Sequence, residues 1–352
     1  MIEHREKTAG TSQAKLTPAF HPAVAEASGV LATGTPIDPP LAARLADLPG
    51  EDVLDLISLA HKVQLKFAPG LHACSIVNAK SGACPENCRF CAQSAHHAAQ
   101  VPEYGLLDPR ELLAKAQAVW ENGVRRFGIV TSGTGCAGGE HGELLSVIET
   151  IGLIRERLPG MEVCASLGAL DDAAARTLAA AGVSHYNLNL QVATGRYREL
   201  ISDTHSAADR LAALATLKRN GIELCCGGII GVGETMADRV ALAFELRELG
   251  VGTIPLNVLI PIPGTPLEGS APVPAVEVAK TFALFRLIHP RAVIKFAAGR
   301  ETVMKDFQAL LMLSGANSML TGGYLTTRGR ETSEDLALLA ELNRFGDDGV
   351  AG

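Results

Sequence analysis

Three cysteines, Cys84, Cys88 and Cys91, fall within eight positions of the stretch AKSGACPENCRFCAQSAHH, residues 79 to 97. Thiolate sulfur is a soft ligand, and a C-x3-C-x2-C spacing lets a short loop wrap one face of an iron-sulfur cube. Three ligands leave one iron without a protein donor. A closed zinc site would need a fourth Cys or His, which His96 or His97 could supply, and thiols of unrelated role are the third alternative. The remaining cysteines are Cys74, Cys136, Cys164, Cys225 and Cys226, so eight in all serve 352 residues. That is far too sparse for a disulfide scaffold, and clustered cysteines in a large chain without a secretion signal point to metal or redox chemistry.

The elements that must position these thiols recur in a rhythm. Residues 1–40 mix Ala, Thr, Pro and Gly without a sustained period and are expected to be loosely ordered, and residues 41–70 carry apolar residues at helical spacing, as lead-in helices. From there a short β-rich segment, a loop and an amphipathic stretch alternate. The predicted strands are 73–79, 126–132, 162–168, 185–190, 223–231, 253–260, 292–298 and 318–323. Eight such units over 71–330 predict a (β/α)8 TIM-type barrel of the α/β class with an N-terminal helical extension; a doubly wound open sheet is the runner-up. Residues 331–352 would form a closing helix and tail. In such a barrel the chemistry gathers where strands end and loops follow, and the three-cysteine loop directly follows the first strand.

Composition fits. The chain is 47% hydrophobic and 4% aromatic, with 36 glycines to serve tight turns and crowded helix contacts. A net charge of -7 with scattered basic residues argues against nucleic acid, and the absence of a long apolar run argues against a membrane span. A cytoplasmic protein is expected.

The stretch NAKSGACPENCRFCAQS resembles the signature of the radical S-adenosylmethionine (SAM) enzymes, in the form found in the biotin synthase family. The resemblance covers residues 52–345, through YNLNL, GGIIGVGET, PLNVLIPIPGTPLEG, AAGRE and GANSMLTGGYLTT in register. It implies a [4Fe-4S] cluster on Cys84, Cys88 and Cys91 whose open iron binds SAM, reduced by a flavodoxin or ferredoxin. It implies that Arg210 pairs with the SAM carboxylate, that Asn189 and Gln191 contact its ribose, and that Gly231 and Glu234 belong to the same site. The family's usual His and Asp are here Leu188 and Gln191. Dethiobiotin would be read by Asn257 at its ureido group and by Thr326 and Thr327 at its carboxylate tail, and a homodimer is implied.

The resemblance also implies an auxiliary cluster that donates sulfur, [2Fe-2S] in the familiar form. Two of its cysteines are matched by Cys164 and Cys225. Gly128 stands where a third would be, and Lys295 where the family has an arginine. Cys74 and Cys226 are additional thiols, and strand alternation puts Cys74 on one face with Ile76 and Asn78. This suggests a rebuilt cluster on Cys74, Cys164 and Cys225 or Cys226, [2Fe-2S] or of a four-iron type, with Lys295 balancing charge. Cys136 fits neither set. The competing expectations are a radical SAM relative performing rearrangement or cofactor maturation, a non-catalytic metal-binding protein, and an aldolase using Lys295 as a Schiff base.

Overall fold

The computed structural model describes residues 20–135, 141–327 and 329–346; Cys136 lies outside them. Among the described residues there are nine strands: β1 (His72–Lys80), β2 (Arg126–Thr131), β3 (Glu162–Ser166), β4 (His185–Asn187), β5 (Glu223–Cys225), β6 (Gly228–Ile230), β7 (Thr253–Val258), β8 (Val293–Phe296) and β9 (Ser318–Leu320). Their order is β5-β4-β3-β2-β1-β9-β8-β7-β6, and β5 also pairs with β7, which closes the ring. The ladders are parallel. β5 and β6 are two halves of the one segment expected over 223–231, so the result is an eight-stranded parallel barrel.

The break in that fifth strand has a steric cause. A Cβ on Gly227 would stand 1.9 Å from the Pro255 carbonyl oxygen, so the chain can press against β7 there only as glycine. β4 is likewise shorter than expected. Past Asn187 the backbone leaves the regular ladder but stays tied to the fifth strand, with Leu188 N donating to Cys225 O and Gln191 N to Gly227 O.

Helices ring the barrel, and their starts follow local chemistry. Ala207–Arg219 and Met236–Glu248 each open on a capping box, Ser206 with Asp209 and Thr235 with Asp238. The helix Ala275–Ile288 is apolar nearly all round because the lead-in helix Val53–Phe67 covers its outer side. Arg286 on that helix is fully buried yet satisfied, donating to the carbonyls of Gly315, His289, Pro290 and Ala292 and to Asn317 Oδ1.

The start of the chain departs from expectation. Residues Pro22–Ala32 form a helix, capped by the His21 side chain and burying Ala23, Val24, Ala27 and Leu31, where residues 1–40 were expected to be loose. Its small side chains pack closely but give little amphipathic signal. A second helix, Pro39–Ala46, begins on the Asp38 cap, and Lys280 holds its end through the carbonyls of Ala46 and Leu48. At the other terminus the helix Thr332–Asn343 is anchored by a fully buried ion pair, Arg300 to Asp335 at 2.7 Å. Among the described residues no helix is long and apolar enough to cross a membrane.

Candidate active site

Beyond the C-terminal end of β1 the chain turns through Gly82 and Ala83, both at positive φ, and enters the cysteine loop. Backbone bonds fold the loop on itself: Cys84 N donates to Gln93 O, Ala95 N to Cys84 O and Cys91 N to Cys88 O, all within 2.9 Å. A cavity of about 410 Å³ opens beneath it, within the usual range for ligand sites. Cys84, Cys88 and Cys91 line its mouth, and the strand residues Cys74, Cys164, Cys225 and Lys295 line its depth.

The loop thiols suit a cluster better than a lone zinc ion. His96 and His97 turn their Nε2 atoms to the carbonyls of Pro85 (2.8 Å) and Cys88 (3.0 Å), so both staple the loop. Among the described residues no three His, Cys, Asp or Glu side chains converge on a single metal ion. A cube is larger than one ion and accepts thiolates that stand farther apart. Burial pushes the Cys88 thiol up to about 12, reinforced by Cys91 and opposed by Arg210.

The deeper set is built by register. Gly128 pairs with Ile76 on one side and Cys164 on the other, and Cys225 pairs with Asn187. Cys74 and Cys225 are buried, and Lys295 hydrogen-bonds the Cys74 thiol. Burial works against the Lys295 charge, but Cys74, Cys225 and Cys164 outweigh it and hold its pKa above the usual lysine value. Three thiol neighbours suit Lys295 to balancing charge rather than to forming a Schiff base. Burial raises Cys164 to about 12 against the opposing pull of Lys295. Asn187 Nδ2 lies 3.5 Å from Cys225 Sγ, and Arg126 reaches the same cavity while paired with Glu162 at 2.6 Å. Gly128 has little room for a side chain, since a Cβ there would meet Ile76 Cγ2 at 3.0 Å.

Of the adjacent pair, Cys225 faces the cavity and Cys226 does not. Cys226, just past the end of β5, is fully buried in the main hydrophobic core and is not among the residues lining the cavity. Gly231 and Glu234 do not line the cavity; Glu234 accepts from the backbone of Gly231 and Val232 at 2.8 Å and pairs with Arg239 at 2.7 Å, clamping the turn from behind. Gly231, at φ +105, is needed for the turn itself.

The other expected residues do line the cavity. Asn189 accepts from Gly227 N at 2.9 Å, and its neighbour Gln191, at φ +72, leaves Oε1 buried without a partner. An orphaned buried acceptor beside an open cavity fits a hydroxyl donor such as a ribose. Asn257 is tied to backbone on both ends, donating to Gly228 O (3.2 Å) and accepting from Ala298 N (3.1 Å), which fixes its amide and leaves one hydrogen and one lone pair. Thr326 and Thr327 follow Tyr324, whose hydroxyl donates to Glu301 at 2.6 Å, and Asn78 holds the carbonyl of Leu325. Behind Arg210 stand Glu86, Tyr197 and His205, which sequence spacing did not single out, although Glu86 lies inside the cysteine loop.

The model for the Radical SAM superfamily matches residues 79–246, and that for the Biotin and Thiamin Synthesis associated domain matches residues 255–344. Biotin synthase of Chlorobaculum tepidum is 54% identical over 331 residues, covering 93% of this chain and 98% of that one. Biotin synthase of Chlorobaculum parvum is 56% identical over 330 residues, with the same coverage. Among solved structures, methylornithine synthase aligns with a TM-score of 0.77 at 17% identity, covering 91% of this chain and 96% of that one. The FeFe-hydrogenase maturase HydG from Carboxydothermus hydrogenoformans aligns at 0.75 and 18%, covering 90% and 77%. At that identity the two structures speak for the fold alone. The curated relatives speak for more, because more than half of all positions agree along nearly the whole of both chains: this chain belongs to the biotin synthase family and is a radical SAM sulfurtransferase.

Proposed function

We propose that the protein converts dethiobiotin to biotin, holding a [4Fe-4S] cluster on Cys84, Cys88 and Cys91 and a sulfur-donating auxiliary cluster on Cys74, Cys164 and Cys225. The observation that carries this is that both thiol sets line one cavity, with Asn257, Thr326 and Thr327 on the same walls. A substrate lying there touches both. When bound, the loop cluster with SAM supplies hydrogen-abstracting radical chemistry, and the strand cluster supplies sulfide.

The residues supply position and charge. Arg210 offers a guanidinium fork to the SAM carboxylate, and Asn189 and the free Oε1 of Gln191 take ribose hydroxyls. The pinned amide of Asn257 both donates to and accepts from a ureido group, and the hydroxyls of Thr326 and Thr327 meet a carboxylate. Lys295 offsets the negative charge of thiolates and sulfide in a buried site, a role that suits a compact ammonium that stays protonated. The surrounding barrel keeps water from a reactive carbon radical.

The ligand set differs from the familiar one by exchanging a thiol on β2 for one on β1, and the cluster we infer there is of a four-iron type. The second strand offers no thiol at Gly128 and the first strand offers Cys74 instead, so the site has moved toward β1 and β9. A four-iron cluster predicts four irons and at least four sulfides per chain beyond the loop cluster; two of each would return the site to [2Fe-2S]. A flavodoxin or ferredoxin serves as reductant, the chain works as a homodimer, and it acts in the cytoplasm. The functional test is anaerobic: the reconstituted, reduced protein given SAM should form 5'-deoxyadenosine and, only with dethiobiotin present, biotin. Deoxyadenosine without biotin would keep the radical chemistry and reject the substrate.

A further inference from the structure

Arg210, on the helix Ala207–Arg219, is held from behind by a network that joins it to the cysteine loop. Its Nη2 lies 2.9 Å from His205 Nε2 and its Nε donates to Tyr197 Oη at 3.2 Å. Tyr197 Oη lies 2.8 Å from the same His205 nitrogen. On the other side of the ring, His205 Nδ1 is 2.8 Å from Glu86 Oε2, a residue 119 positions away that sits between Cys84 and Cys88. The cluster is largely shielded, with the His205 side chain 12% exposed and that of Glu86 18%.

These contacts fix the imidazole tautomer. A guanidinium has no acceptor, so its N–H at 2.9 Å requires the lone pair of His205 to be on Nε2. The ring proton is then on Nδ1, where Glu86 accepts it. Tyr197 accepts from Arg210 Nε, and its hydroxyl shares the single Nε2 lone pair with the Arg210 Nη2–H as a bifurcated contact. The alternative, an Nε2–H aimed at the Cys88 sulfur 3.9 Å away, would set two N–H groups against each other at the Arg210 contact. With Nε and Nη2 occupied, Nη1 has no partner among the described residues, and Arg210 lines the cavity.

We propose that His205 is the positioning residue of the SAM site: Glu86 sets its tautomer, its Nε2 lone pair orients Arg210 so that the free nitrogen faces the SAM carboxylate, and the chain Glu86–His205–Arg210 couples the cysteine loop to that arginine. The proposal rests on the assignment of Arg210 to SAM made above. It makes the loop and the carboxylate grip one unit, because the loop that carries Cys84 and Cys88 also carries the carboxylate that sets the tautomer.

Two measurements test it. In the 15N-labelled protein with its clusters reconstituted and oxidised, imidazole nitrogen spectra, assigned by loss of the peak in His205→Gln, should show His205 protonated at Nδ1; protonation at Nε2 overturns the proposal. In the reconstituted protein, SAM affinity and the change that SAM causes in the spectrum of the reduced loop cluster are compared across variants. His205→Ala should weaken SAM binding by about 10-fold or more with loop iron retained, as expected for loss of an oriented, charge-assisted contact. His205→Gln, whose Oε1 can stand in for the Nε2 acceptor, should restore most of it, and His205→Asn, which stops short, should not. Unchanged SAM affinity in His205→Ala overturns the proposal, and so does loss of loop iron in both the Ala and Gln variants, which would make His205 a prop for the loop. If the unmodified protein with a full loop cluster fails to retain SAM, the SAM assignment itself falls and this inference with it, an outcome distinct from either variant result.

Discussion

The two thiol sets are assembled in opposite ways. Cys84, Cys88 and Cys91 are neighbours in sequence, on a loop shaped by its own backbone bonds and stapled by His96 and His97. Cys74, Cys164 and Cys225 lie on β1, β3 and β5, up to 151 positions apart, and only the closing of the sheet into a barrel brings them to the wall of one cavity. The loop set therefore depends on local geometry, and the strand set on the integrity of the barrel. Their electrostatic surroundings differ too. Arg210 stands beside the loop thiols from a helix at the rim, whereas Lys295 is buried among the strand thiols. A cation at the rim is available to a ligand that comes and goes; a cation in the interior balances charge that stays.

Separate chemistry should make the two sets separable by mutation. The largest effect is expected for Cys88→Ala, which removes one of the proposed ligands of the loop cluster: SAM cleavage should fall by more than ~1,000-fold, since the cofactor carries the difficult chemistry. Iron at the strand site should remain, as measured by iron content and cluster spectroscopy; SAM cleavage at the original rate would refute the loop assignment. Next comes Asn257→Ala, which removes a pinned amide from the substrate wall. It should raise the dethiobiotin KM about 10- to 100-fold while leaving deoxyadenosine formation without substrate untouched, as for a site left with unpaired polar groups. An unchanged KM would move ureido recognition elsewhere.

Lys295→Met sharpens the comparison from the other side. It strips the cation from the strand site, so reconstitution there should drop severalfold with the loop site intact; loss at both sites alike would mean that Lys295 serves the barrel rather than the cluster. Cys226→Ala is expected to be the mildest. It should leave both clusters and product formation near normal and cost about 1 kcal/mol of stability for a small cavity in the core. Loss of strand-site iron in this variant would reassign the ligand.

How much of this was legible in sequence follows the same division. The spacing of the loop cysteines carries its chemistry on its face, and the alternation of β-rich and amphipathic segments gives a closed barrel with few alternatives. The choice between Cys225 and Cys226 was not legible, because it depends on where the fifth strand breaks. That break is set by Gly227 against Pro255, a contact between residues 28 positions apart. Glu234 is a similar case: in sequence a carboxylate beside a glycine turn looks like a ligand contact, and in the fold it holds the turn. Glu86 and His205 could not be paired from sequence at all, since nothing local marks two residues more than a hundred positions apart. The helix Pro22–Ala32 escaped notice because small buried side chains leave almost no periodic signal.

The central claim, that two thiol sets in one cavity perform two separable steps, is tested most directly by Cys164→Ala in a single-turnover assay with SAM, reductant and dethiobiotin. Deoxyadenosine formed with no biotin, and with loop-cluster iron retained, is the predicted result. Biotin formed at the level of the unmodified protein would contradict it.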